Sequence, residues 1–122
     1  MQTFRAEDGW PFPVYYGACG RIVAEEYVGR RLTTFYNEDF RVRALISHQL
    51  LKIAFQLTEA SNFTLYLADV SADNFAVNED ENYAVKVVDL ENVIIVDKSQ
   101  FTHGEALLFC TFRFNNLSEV SF

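Results

Sequence analysis

The chain has 122 residues, half of them apolar and 16% aromatic, which is enough for the core of one domain and argues against disorder of the whole chain. A formal net charge of −7 makes nucleic acid a poor partner, because its phosphates would be repelled. Two cysteines, Cys19 and Cys110, are too few for a disulfide-stapled scaffold and lack zinc-site spacing. No stretch approaches the ~18 apolar residues of a membrane span, and the N-terminus lacks the pattern of a signal peptide.

Residues 10–29 are predicted to form two short strands. Pro11 and Pro13 favour extended backbone. Gly17 and Gly20 bracket a predicted hairpin turn, and residues 21–25 continue as the second strand. Gly29 ends this strand, and residues 33–36 are predicted to form a short helix.

Residues 39–60 are predicted to form a long helix, because apolar residues recur from Phe40 at helical spacing. Asn37 or Asp39 is the predicted cap. Further apolar positions widen the apolar stripe, which predicts burial on more than one side of the helix.

Residues 65–96 alternate between apolar runs and polar loops, and the predicted strands are 75–77, 83–88 and 93–96. The remaining tail, residues 97–122, contains a run at 107–114 that fits either a strand or a buried helix. One long helix among short strands predicts an α+β fold.

Three oxygen-bearing side chains stand out in this region: Asp69, Asn74 five residues later, and Asp89 at the end of the next hairpin. A hairpin returns the chain, so these side chains are expected to face one cleft. Carboxylate and amide oxygens are suitable Mg²⁺ ligands, and a further carboxylate can orient an acceptor hydroxyl. The alternative is that Asp69 and Asn74 are only turn and cap residues, which both residue types favour.

The segment Asp69–Asn74 resembles the protein-kinase catalytic loop, and Asp89-Leu90-Glu91 resembles the kinase metal-binding triplet. Residues 22–29 resemble a fifth kinase strand that runs into the hinge. The strings FPVYYGACGRIVAEEYVG and DVSADNFAVNEDENYAVKVVDLENVIIVDK are similar to the divergent protein kinase family of the secretory pathway. The resemblance covers about residues 10–97. It implies one partial kinase-like domain over residues 1–122, with hinge strands and the start of a mainly helical C-lobe.

The resemblance also implies ATP and Mg²⁺ as cofactors, nucleotide and a protein substrate as partners, and a lumenal or secreted location. Asn62 and Asn116 begin glycosylation sequons that fit this location. Six residues acquire implied roles: Asp69 as catalytic base, Asn74 and Asp89 as metal ligands, the backbone of Glu26 and Val28 at the adenine edge, and Ala76 at the floor of the adenine pocket.

The chain departs from the kinase pattern at several positions. Leu67-Ala68 stands where His-Arg is usual, Glu91 replaces the glycine of the triplet, and Glu25 occupies the gatekeeper position. The Gly-rich loop and the strand lysine are absent, so this chain is not expected to transfer phosphate in this form. The alternatives are a pseudokinase or protein-interaction module without catalysis, and a piece that does not fold independently.

Overall fold

The computed structural model describes residues 3–90 and 92–100. Within these ranges there is one α-helix, seven strands and four short 3-10 helices. This mixture confirms the predicted α+β class. The strands are β1 (Tyr15–Cys19), β2 (Ile22–Glu25), β3 (Arg30–Arg31), β4 (Phe63–Leu67), β5 (Phe75–Asn78), β6 (Ala84–Val87) and β7 (Val93–Asp97); the α-helix is α1 (Phe40–Glu59); and the 3-10 helices are Ala6–Asp8, Leu32–Phe35, Ala72–Asn74 and Lys98–Gln100.

The strands form three small antiparallel sheets, ordered β1-β2, β3-β5-β6 and β4-β7. The predicted hairpin β1-β2 turns at Gly20, which has a φ of 60°. Gly17 lies inside β1 instead, where the register with β2 shifts, so its predicted place in the turn is wrong. The run 107–114 lies outside the described residues.

Helix α1 is one residue shorter at each end than predicted. Asp39 caps it, because its side-chain oxygen accepts a 2.9 Å hydrogen bond from the backbone N–H of Val42. One face is buried, through Val42, Ile46, Ile53 and Leu57. Phe40, Leu51 and Phe55 are exposed, so the prediction of burial on several sides is wrong for the part of the chain described here.

The core lies between α1 and the two sheets that contain β4 and β6. Its most deeply buried large side chains are Phe12, Phe35, Val77 and Val87. An apolar cavity of about 440 Å³ lies between α1 and β4. No helix in the described ranges is long and apolar enough to cross a membrane.

Strand β3 was not predicted from the sequence. Its two arginines carry no apolar pattern, and the strand exists because Arg30 and Arg31 pair with Val77 and Ala76 of β5. Gly29, just before β3, lies so close to this partner strand that any added Cβ would clash with the Val77 carbonyl group. Only glycine permits this approach of the two backbones.

Candidate nucleotide and metal site

The loop between β4 and β5 carries Asp69 and Asn74, and it is folded back on itself. The backbone N–H of Asn74 donates to the Ser71 carbonyl at 3.0 Å, which closes the 3-10 turn. The Asn74 side-chain nitrogen donates to the Asp69 carbonyl at 3.2 Å. This bond orients the Asn74 amide and leaves its oxygen as the acceptor that a cation could use.

A second loop, between β6 and β7, carries Asp89 and lies beside the first loop. The Val88 N–H donates to the Asn74 carbonyl at 2.9 Å, and the Ala68 N–H donates to the Asn92 carbonyl at 2.9 Å. Backbone hydrogen bonds therefore join the two loops at both ends. The structure brings the residues predicted from sequence, Asp69, Asn74 and Asp89, onto this pair of loops, and both aspartates are solvent-exposed. Their chemical roles stay predictions.

The chemistry of these donors fits Mg²⁺ bound together with phosphates. Among the described residues, no three His, Cys, Asp or Glu side chains cluster as a metal site. The predicted pair, Asn74 and Asp89, offers one amide oxygen and one carboxylate. Mg²⁺ is usually held in such sites by one or two carboxylates, with substrate phosphates and water completing its coordination.

The predicted hinge, residues 26–29, connects β2 to β3. The Glu26 N–H donates to the Val14 carbonyl at 2.8 Å, which extends the β1-β2 ladder by one bond. Val28 is buried, whereas Tyr27 is exposed. Glu25, at the predicted gatekeeper position, is an exposed residue that pairs with Tyr15.

The carboxylate of Glu26 receives three hydrogen bonds. Lys86 Nζ donates to both of its oxygens, at 2.9 and 2.7 Å, and the Val14 N–H donates to Oε2 at 2.9 Å. The bonds from Lys86, and then that from Val14, hold the pKa of Glu26 below its ordinary value of 4.5. Glu26 is therefore fully ionised at neutral pH.

Ala76 lies in β5 between Arg31 of β3 and Lys86 of β6. Directly opposite residues of neighbouring strands project from the same face of a sheet. Ala76 and Lys86 therefore share one face of the sheet, and the alternate residues Val77 and Val87 belong to the core on the other face. The predicted pocket floor, Ala76, is thus buried on the face that also carries the partner of the hinge residue Glu26.

Two features of this region were not predicted from the sequence: the ion pair of Lys86 with Glu26, and the close approach of Gly29 to the Val77 backbone. Lys86 has one visible signal: it is the only charged residue between Tyr83 and Val88, in a strand that otherwise predicts burial. A lysine in such a strand can pair with an anion, but the sequence alone does not identify a partner 60 residues away. Gly29 was predicted only to end a strand, because its close neighbour Val77 lies far along the chain.

Comparisons with known proteins identify the family. The family model described as the protein-kinase domain of FAM69 matches residues 1–114. Divergent protein kinase domain 2A of Homo sapiens and that of Xenopus tropicalis are each 46% identical over 99 residues, which is 80% of this chain and 23% of the relative. Divergent protein kinase domain 2B of Mus musculus is 28% identical over 107 residues, 87% of this chain and 24% of the relative.

This chain thus spans about a quarter of the length of these curated relatives. No solved structure matches it. One long helix among antiparallel strands is consistent with a partial kinase-like fold. The chain belongs to the divergent kinase family defined by the protein-kinase domain of FAM69, and it represents part of that domain.

Proposed function

We propose that the full-length form of this protein binds ATP with Mg²⁺ and acts as a phosphotransferase of the secretory pathway, while the 122 residues by themselves do not transfer phosphate. The observation that carries the proposal is the pairing of the two loops through the Val88–Asn74 and Ala68–Asn92 backbone bonds. This pairing supports a common site for the side chains of Asp69, Asn74 and Asp89. The names of the relatives support a kinase-like ancestry.

In the proposed site the oxygens of Asn74 and Asp89 would hold Mg²⁺, and the backbone of Glu26 and Val28 would bind the adenine edge. A Mg²⁺ ion held there would supply positive charge against the phosphates. Asp69 accepts the proton of the acceptor hydroxyl, whose oxygen then bonds to the γ-phosphorus. The bond between that phosphorus and the bridging oxygen breaks, and ADP leaves.

Calorimetric titration of the purified full-length protein with ATP, with and without Mg²⁺, tests the binding step. Asp89→Ala is expected to weaken Mg²⁺-dependent ATP binding by about tenfold or more, because a charged metal ligand is lost. Asp80→Ala is the matched control, since it removes an exposed carboxylate from the turn of the same hairpin. A wild-type protein that shows no binding of ATP, with or without Mg²⁺, would overturn the proposal.

Phosphate transfer is tested separately from binding. Asp69→Asn is expected to lower transfer from ATP by about a hundredfold or more while ATP binding is retained, because the variant lacks the base. Equal transfer by Asp69→Asn and wild type would refute the role of Asp69.

A second candidate is a nucleotide-binding or protein-interaction module without transfer. The apolar pair Leu67-Ala68 directly before Asp69 favours it, because neither residue offers a charged group to the loop. Wild-type protein that binds Mg²⁺ and ATP but transfers no phosphate to protein or peptide acceptors would favour this candidate.

The proposed lumenal location has its own test. Asn62 is exposed between α1 and β4, at the start of an Asn-Phe-Thr sequon. In eukaryotic expression, removal of N-glycans is expected to increase the gel mobility of wild type, and Asn62→Gln is expected to remove the contribution of this site. Unglycosylated wild-type protein recovered only from the cytosol would contradict the proposed location.

A further inference from the structure

The ion pair between Glu26 and Lys86 differs from the other ion pairs of the described residues. Its side chains are each 21% exposed, whereas those of Arg30–Glu79 are 47% and 44% exposed. Its two residues lie 60 positions apart. Exposed ion pairs contribute little to the free energy of folding. A partly buried pair with several hydrogen bonds can instead fix the position of the segments that it joins.

Glu26 is held on both sides. Its backbone N–H and its side chain both bond to Val14, which extends the β1-β2 ladder, while its carboxylate binds Lys86 on β6. The lowered pKa of Glu26 agrees with this set of three donors. Glu26 therefore connects the first hairpin to the second one.

The other end of the hinge is also fixed. Gly29 lies against the Val77 carbonyl, and Arg30 pairs with Val77 in the β3-β5 ladder. Between these two attachments lie only Tyr27 and Val28. The hinge is thus fastened to the β5-β6 hairpin by an ion pair at one end and by backbone packing at the other.

Lys86 stands directly opposite Ala76, the predicted floor of the adenine pocket. Resting on the proposed function, we propose that the Glu26–Lys86 pair is a positioning device that sets the distance between the hinge backbone and Ala76, and so sets the affinity for adenine. Glu26 and Lys86 are positioning residues here: they act through the hinge backbone and do not contact phosphate or metal.

Loss of the ion pair should weaken binding of the adenine base and leave binding of the phosphates nearly unchanged. Lys86→Met keeps the aliphatic stem and removes the charge, while Glu26→Gln keeps an acceptor for the Val14 N–H. Both variants are expected to weaken adenosine binding about tenfold, since a shift of hinge donors and acceptors by a fraction of an ångström spoils their hydrogen bonds. Binding of Mg²⁺-tripolyphosphate is expected to change by less than about twofold, because the loops of Asn74 and Asp89 are joined by their own backbone bonds.

Calorimetry with adenosine and with Mg²⁺-tripolyphosphate as separate probes measures this difference. Glu79→Gln is the matched control, because it breaks an exposed ion pair to the neighbouring β3 residue Arg30. Lys86→Arg, which keeps the charge, is expected to restore most of the adenosine affinity lost in Lys86→Met. Amide hydrogen exchange without ligand is expected to be faster at Val28 in Lys86→Met than in wild type or Glu79→Gln.

The outcomes are distinct. If wild type binds neither probe, the proposed function fails and this inference fails with it. If wild type binds both probes and the variants match it, only the inference fails. If Lys86→Met weakens both probes equally, or leaves exchange at Val28 unchanged, the pair is a general stabilising contact and the inference is also overturned.

Discussion

The two hairpins, β1-β2 and β5-β6, have similar local structure and very different surroundings. Each consists of two antiparallel strands of four or five residues joined by a short turn. In β5-β6, Val77 and Val87 are completely buried, and Ala76 and Lys86 share the opposite face. In β2 every residue is exposed within the described part of the chain.

This comparison shows that backbone pairing does not distinguish the two regions. Strand hydrogen bonds are present in both, so we expect the two hairpins to differ in stability through burial and through contacts made by distant segments. Equivalent substitutions in the two hairpins should therefore have unequal effects.

The largest expected effect follows from Gly29→Ala. The new Cβ clashes with the Val77 backbone, and the φ of 146° at residue 29 is unfavourable for alanine. We expect a loss of about 3 kcal/mol or more in the free energy of unfolding, measured by urea denaturation. Gly17→Ala in β1 meets open space at a similar φ, and should cost about 1 kcal/mol. Equal losses would contradict the close approach of Gly29 to β5.

A smaller difference in the free energy of unfolding is expected when a valine of each hairpin is replaced by alanine. Val77→Ala removes buried methyl groups from the core and should lower the free energy of unfolding by about 2 kcal/mol. Val23→Ala, in the exposed strand β2, should change it by less than about 0.5 kcal/mol. Urea denaturation of both variants measures the contrast, and a similar cost at both positions would show that β1-β2 is covered in the protein.

The smallest expected effect on the free energy of unfolding follows from removal of the Glu26–Lys86 ion pair between the hairpins. The pKa of Glu26 is lowered in the folded state, so its ionisation stabilises the fold above the ordinary value of 4.5, and this contribution is lost as the pH falls through the lowered pKa. Glu26→Gln should therefore be less stable than wild type at neutral pH by about 1 kcal/mol or less. The difference should shrink in acid. A difference that stays constant from about pH 7 to about pH 3 would contradict the ion pair with Lys86.

Much of the fold was predictable because its signals are local. Helix α1 follows from apolar spacing and its Asp39 cap, and β6 from its β-branched residues. The unpredicted features depend on distant partners. Strand β3 exists only because β5 lies beside it, and the charge of Lys86 is explained only by Glu26.

The candidate site likewise combines features that local sequence predicts with features that depend on distant partners. The residues Asp69, Asn74 and Asp89 were recognisable by type and order, and the hairpin between them predicted that they approach each other. The backbone bonds that join the two loops were not predictable, because hydrogen bonds between main-chain groups do not depend on which residues carry them. Likewise, the exposed Phe55 and Leu51 could not be told from core residues by spacing alone.

The hydrogen bond from the Val88 N–H to the Asn74 carbonyl has a consequence for how this region tolerates change. Because both groups belong to the main chain, replacing either side chain leaves the attachment between the loops intact. Proline at position 88 would remove the donor, and insertion of a residue between Val87 and Asp89 would displace it. The side chains of the two loops can therefore vary in sequence while the spacing of the loops that carry them is preserved.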